Sequence, residues 1–220
     1  MARMIPKVLA NATPASEVKV HRALGGLSDD WVVLHSVSFI MSTGNERAPF
    51  TGEADFVLLH QRYGYIVLEV KGGIYEVKEG TWYAGLKREE MDRSPFEQAK
   101  SNRFDLRRHI IAATGIKGIQ SGHAVAFPDA RPAGRLGLEA PGNIIVDGND
   151  LANIQAAIER VSAYWFPSLG SSISATDFNK LIGILAPSSQ VVADRRFQID
   201  ATSAEIVELT QKQILSLIHI

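Results

Sequence analysis

Two neighbouring hydrophobic runs, residues 53–60 (EADFVLLH) and 63–73 (YGYIVLEVKGG), constrain this chain more than any other feature, because each sets charge inside a segment that otherwise reads as buried strand. Alternate residues of a strand share a face. Asp55, Val57 and Leu59 therefore fall on one side of the first run, and Tyr65, Val67, Glu69 and Lys71 on one side of the second. The opposite sides are apolar as well, with Phe56 and Leu58 in one run and Ile66, Leu68 and Val70 in the other. That is the pattern of strands covered on both faces. A charge placed there costs solvation unless something compensates it.

The link from His60 to Gly64 is short enough for a hairpin. Pairing His60 with Gly64 sets Leu59 opposite Tyr65, Val57 opposite Val67, and Asp55 opposite Glu69 on one face. Directly opposed residues have Cβ atoms only about 5 Å apart. Two carboxylates that close repel in a low dielectric, and either protonation of one or a cation between them relieves the repulsion. A hard divalent ion with oxygen ligands, such as Mg²⁺, meets the second condition. The same register sets Lys71 beside Glu53, and an ion-paired cluster at the sheet end with no chemistry satisfies the same spacing.

With 220 residues the chain can bury a proper core as one domain with appendages. A net charge of −1, with 21% charged residues, argues against a protein held to nucleic acid by its overall charge, so any such contact needs a local patch. The absence of cysteine excludes disulfides, thiolate metal sites and cysteine nucleophiles, and fits a reducing compartment. Residues 1–16 lack the apolar core of a signal peptide, and no apolar stretch reaches membrane-spanning length. A cytoplasmic protein with no membrane partner is the expectation.

Local signals predict the remaining elements. Thr13-Pro14 opens a helix ending by about Leu27, with Glu17, Val20, Leu24 and Leu27 on one side, so that Glu17 points toward the core. Residues 31–40 read as strand, 42–52 as polar loop, and 74–77 and Trp82-Tyr83 as further strands. Ser94-Pro95-Phe96-Glu97 is a capping box with proline at the first helical position, and its helix runs to about Ala112. Residues 123–129 and 143–148 are short apolar strands, followed by helices from Asn149-Asp150 to about Trp165 and over 177–185. A connector over 187–200 and a helical pattern over 202–218 complete the chain. These elements make a mixed α/β domain whose sheet is partly sandwiched by helices. The expected division is 1–168 for the main domain, 169–200 for a helix and connector, and 201–220 for a terminal helix.

Asp on one strand, Glu-x-Lys on the next and Gln in the following helix resemble the PD-(D/E)xK nuclease superfamily, which includes restriction-type endonucleases, and most closely its NERD (nuclease-related domain) branch. The residues that carry the resemblance are Gly52-Glu53-Ala54-Asp55-Phe56, Leu68-Glu69-Val70-Lys71-Gly72, Pro95-Phe96-Glu97-Gln98-Ala99 and Ala126-Phe127-Pro128-Asp129, within roughly residues 12–165. Ala54 stands where the broader superfamily has proline, as is usual in the NERD branch. The resemblance implies a restriction-endonuclease-like mixed sheet flanked by helices and a metal-dependent DNA endonuclease. Asp55 and Glu69 would then bind Mg²⁺ or Mn²⁺ with the carbonyl of Val70, and Lys71 would orient the attacking water. Gln98 would position the nucleophile or an outer water, and Glu17 would support the ligands from behind.

Each assignment has a structural alternative. Glu17 suits a helix N-terminus through the dipole alone, and Gln98 shares a stripe with Asn102, Asp105 and His109 that resembles a solvated helix face. His21, His35, His60, His109 and His123 show no paired ligand spacing and are expected in structural or surface roles. A catalytically silent nucleic-acid-binding or interaction module with the same fold is the alternative to an enzyme.

Lys87, Arg88, Arg93, Lys100, Arg103, Arg107 and Arg108 surround the Gln98 helix, diluted by Glu89, Glu90, Asp92, Glu97 and Asp105. Modest, salt-sensitive binding to DNA phosphates without base reading is the expectation. Residues 205–218 (EIVELTQKQILSLI) resemble the Leu-Thr-x-x-Gln element that precedes the ATPase core of superfamily 1 helicases, with Gln213 in the adenine-reading place. A fused or associated superfamily 1 helicase is the implied partner. No G-x-x-x-x-G-K-[ST] loop occurs, so this chain has no triphosphate cradle of that kind. An amphipathic terminal helix with Ile206, Leu209, Gln213 and Leu217 aligned is the plain alternative. The last six residues, LSLIHI, resemble translated sequencing adapter, and the natural chain is expected to continue differently.

Overall fold

Apolar residues run almost unbroken through the middle of the sheet, and the order of strands follows from where those runs can be covered on both faces. The computed structural model describes residues 1–41, 50–168 and 172–189. Met1–Pro187 form one compact unit and Ser188–Ile220 a second, and the first is described here. The expected terminal helix, nearly all of the connector, and most of the loop over 42–52 lie outside the described residues.

The chain enters through a short strand β1 (Arg3–Ile5) and helix α1 (Ala15–Leu24), then forms strands β2 (Trp31–Met41), β3 (Phe50–His60) and β4 (Gly64–Val70). Three small strands, β5 (Tyr75–Lys78), β6 (Thr81–Ala84) and β7 (Glu89–Glu90), make a separate sheet before helix α2 (Pro95–Thr114). Strands β8 (Ser121–Phe127) and β9 (Ile145–Asp147), helix α3 (Ile154–Trp165) and helix α4 (Ala175–Leu185) follow. The main sheet has the order β1-β2-β3-β4-β8-β9. β2, β3 and β4 pair antiparallel, whereas β4 with β8 and β8 with β9 are parallel.

Every residue of β4 is buried, as its two apolar faces predict. On one face Val20, Leu24, Ile158 and Val161 from α1 and α3 pack with Phe56, Leu58, Ile66 and Leu68. On the other, Leu106, Ile110, Leu181 and Ile182 from α2 and α4 cover Val57, Leu59, Tyr65 and Val67. The capping box forms as predicted: Glu97 N–H donates to Ser94 Oγ at 3.0 Å with Pro95 in the first turn. The segment 143–148 is less regular than expected, a 3₁₀ turn followed by the three residues of β9.

Strict alternation fails at one place. Leu34 and Val37 face the same layer, as do Ala54 and Val57, although each pair is three apart. The pairing register is unchanged across the gap, with His35 opposite Phe56 and Val37 opposite Ala54. Ser36 lies between them at φ 54°, in the left-handed region, so both strands change face together and Asp55 stands at the slip. Among the described residues no helix is long and apolar enough to cross a membrane.

Candidate active site

The hairpin register brings the two acidic strands together. β3 and β4 pair from His60–Gly64 to Phe56–Leu68, as predicted, and the next pair would be Asp55 and Glu69. The ladder stops there. Val70 N–H donates to Asp55 Oδ2 at 2.7 Å, and Lys71 N–H donates to the Ala126 carbonyl of β8 at 2.8 Å. β4 thus keeps its pairing with β8 past the point where its ladder with β3 stops, and the Asp55 carboxylate fills the place of a backbone acceptor on the β3 side.

Glu69 is buried, only 6% exposed. Its Oε1 accepts from Lys71 Nζ at 2.7 Å, and Asn102 Nδ2 lies 3.5 Å from Oε2 while donating to the Glu53 carbonyl at 2.7 Å. Lys71 therefore pairs with Glu69, not with Glu53 as the extended register had it. The strands have already parted beyond Phe56–Leu68, and Glu53 accepts from the Ser36 hydroxyl instead.

Glu17 reaches the same region from α1, and its Oε2 lies 2.7 Å from His35 Nε2. Gln98 is half-buried on α2 one turn before Asn102, and its side chain makes no hydrogen bond to another described residue. At Gly72 a Cβ would come within 2.8 Å of Ser16 Cβ, so the start of α1 packs directly on the chain after Lys71. Asp129 closes the group by pairing with Lys19.

Electrostatics follow from this crowding. Burial is the main reason that the Asp55 carboxyl is raised to about 7 from its ordinary 3.8. The charge of Glu69 adds to it and that of Glu17 adds less, while the Val70 N–H and Lys71 act in the opposite direction. A bound cation relieves that repulsion, and the donors on offer are hard oxygens. Among the described residues no three His, Asp or Glu side chains converge on one point. An ion at Asp55 and Glu69 would therefore complete its shell with the Val70 carbonyl and water, the coordination habit of Mg²⁺. The residues fit such an ion.

Two neighbours escaped the sequence reading. Asn102 is one helical turn beyond Gln98, a spacing that could have flagged it. His35 is found only through the pairing of β2 with β3, which sets it opposite Phe56 and beside Asp55. The basic surface is also smaller than the sequence suggests: Arg103 is buried, Arg88 pairs with Glu76 and Arg108 with Asp105. Lys87, Arg93, Lys100 and Arg107 remain exposed.

A six-stranded mixed sheet flanked by helices, carrying Asp and Glu-x-Lys where its middle strands part, is a restriction-endonuclease-like fold. The family model of the nuclease-related domain, NERD, matches residues 14–128, just over half of the 220 residues. The chain belongs to the NERD family, and the match runs from the start of α1 through β8, across the first three motif segments and the fourth as far as Pro128. Comparison with curated proteins and with solved structures found no match.

Proposed function

We propose that this NERD domain is a metal-dependent DNA endonuclease that hydrolyses phosphodiester bonds with Mg²⁺ or Mn²⁺. One observation carries the reading: Asp55 and Glu69 meet where β3 and β4 part, with Lys71 bonded to Glu69. Bound by Asp55, Glu69 and the Val70 carbonyl, the ion would polarise the phosphate and lower the pKa of water. Lys71 orients the attacking water and offsets negative charge growing on the phosphate oxygens. Water adds to phosphorus, the bond from phosphorus to one sugar oxygen breaks, and the proton lost by water ends on that departing oxygen. Gln98 hydrogen-bonds the attacking water or an outer one, and Glu17, tied to His35, holds the site from behind. Exposed Lys87, Arg93, Lys100 and Arg107 supply phosphate contacts.

Nicking of supercoiled plasmid tests the proposal, with Mg²⁺ or Mn²⁺ against an EDTA control. Ion-dependent conversion to open circle is expected. A folded protein that neither nicks nor gains thermal stability with either ion overturns it.

One observation favours a second reading. The Glu69 carboxylate accepts from Lys71 in an ion pair, a contact that a silent nucleic-acid-binding or interaction module keeping the fold would also show. DNA binding with no nicking selects that module. The sequence of residues 205–218 further supports placing the domain beside a superfamily 1 helicase, tested by co-purification of such a partner.

A further inference from the structure

Arg103 is a buried cation with no anion beside it among the described residues. It is only 9% exposed, and among the described residues no carboxylate lies within ion-pair distance of it. Its guanidinium packs on two rings, 4.4 Å from the centroid of Phe104 and 4.7 Å from that of Trp165. Nη1 makes a long contact of 3.4 Å to the Ser121 carbonyl, and Nε has no partner. An unpaired buried charge is costly, so the arrangement is one that a bound anion completes.

The anion has a place to bind. Arg103 lines a cleft of about 410 Å³ between α2, β8 and the end of α3. His123, 6% exposed, lines it as well, and its Nδ1 is unpaired. Burial, with the charges of Arg103 and Lys100, pushes His123 down to about 4, so its ring is neutral near pH 7 and offers one donor and one acceptor. Lys100 is exposed at the same cleft. Of the two acidic lining residues, Glu139 accepts from Trp82 Nε1 at 3.0 Å and Glu97 is exposed.

The aromatic wall is rigid. Trp165 Nε1 donates to the His123 carbonyl at 2.7 Å, and its ring lies against Gly122, where a Cβ would come within 2.6 Å of Cδ1. Tyr164 stands beside it, ring centroids 5.2 Å apart and perpendicular. We propose that this cleft binds one nucleotide, with its phosphate on the guanidinium of Arg103 and on Lys100 and its base against Trp165 and Tyr164. A guanidinium edge takes phosphate in a two-point grip, stacking tolerates any base, and the volume suits a ligand of this size. The proposal rests on the nuclease reading only for the source of the nucleotide, a DNA strand.

Binding is measured with EDTA present, so that no ion at Asp55 and Glu69 takes part, by quenching of tryptophan fluorescence on the whole protein. The probes are thymidine monophosphate, thymidine, inorganic phosphate and a short oligothymidylate. Thymidine monophosphate should quench saturably, and the signal should vanish in Trp165→Phe. Thymidine and phosphate should each bind about tenfold or more weakly, since each lacks half of the contacts. Arg103→Met should weaken binding at least about tenfold and Lys100→Ala several-fold. The exposed Lys100 keeps the test valid if the buried substitution unfolds the protein. Oligothymidylate that competes with the mononucleotide identifies a strand as the source, and its failure to compete identifies a free nucleotide. Phosphate bound as tightly as the nucleotide, no binding by folded protein, or full binding by Lys100→Ala overturns the proposal. Nicking by a protein that binds no nucleotide removes the cleft and leaves the nuclease reading standing; nucleotide binding without nicking does the reverse.

Discussion

Asp55 Oδ2 accepts the backbone N–H of Val70 at 2.7 Å, and this bond stands where the next rung of the β3–β4 ladder would be. A side chain has replaced a main-chain acceptor where β3 changes face at Asp55, opposite Ser36, while β4 keeps its other edge on β8 with Lys71 N–H bonded to Ala126. The resulting fork leaves two carboxylates close together at the end of a buried strand.

An ion in that fork should raise the melting temperature of the wild type, since a ligand at a hundred times its Kd stabilises the folded state by about 2.7 kcal/mol. Asp55→Asn should abolish most of this rise with Mg²⁺ or Mn²⁺. Without metal the variant should be as stable as the wild type or more so, because its amide oxygen still accepts the Val70 N–H while the repulsion from Glu69 and Glu17 is gone. Thermal melts with and without ion check both halves, and a shift that survives the substitution puts the ion elsewhere.

With EDTA present, the same carboxyl should make the protein less stable as pH rises from about 4 to about 7. Folded Asp55 holds its proton up to about 7, against 3.8 ordinarily, so the folded state binds more protons across that window and rising pH favours unfolding. Urea melts at several pH values should show this slope in the wild type and its loss in Asp55→Asn. Metal affinity should climb over the same window, because the proton must leave before the ion binds.

Lys71→Ala should remove nicking while the metal-induced rise in melting temperature persists, since the ammonium bonds Glu69 and acts on water and phosphate rather than as a ligand. Lys71→Arg should restore little, because a planar fork does not reproduce a compact point charge. Nicking by Lys71→Ala at the wild-type rate would sink the mechanism.

Gly72→Ala should destabilise the domain by about 1–3 kcal/mol, the usual cost of forcing an atom into a packed contact. The added Cβ would sit 2.8 Å from Ser16 Cβ, an atom fixed to the backbone of α1. Combining it with Ser16→Gly should recover a good part of the loss. Additive losses in the two variants, read from urea midpoints, would show that Ser16 is not the obstacle.

Deleting residues 201–220 should leave the rest of the chain folded with its metal response intact. The segment lies outside the described residues, and its Leu-Thr-x-x-Gln pattern makes sense only beside a triphosphate-cradling G-x-x-x-x-G-K-[ST] loop, which the sequence lacks. Loss of folding on deletion would make it part of the core and end the helicase resemblance.

Local chemistry made the hairpin legible from the chain alone. Turn length and the apolar runs set His60 opposite Gly64 and carried the register to Phe56 and Leu68, and Ser94 with Pro95 marked the start of α2. Those signals act over a few residues, and any fold that buries both faces of β4 must respect them. Which side chains surround Asp55 and Glu69 was decided elsewhere. The bond of Val70 N–H to Asp55, the approach of Asn102 to Glu69, the bond of His35 with Glu17 and the burial of Arg103 beneath Trp165 are all contacts between distant parts of the chain. Alternation assumes an even ladder and a uniform partner on each face. β4 has β3 on one edge and β8 on the other, and the change of face of β3 at Asp55 breaks the evenness on which the extrapolation to Lys71 and Glu53 depended.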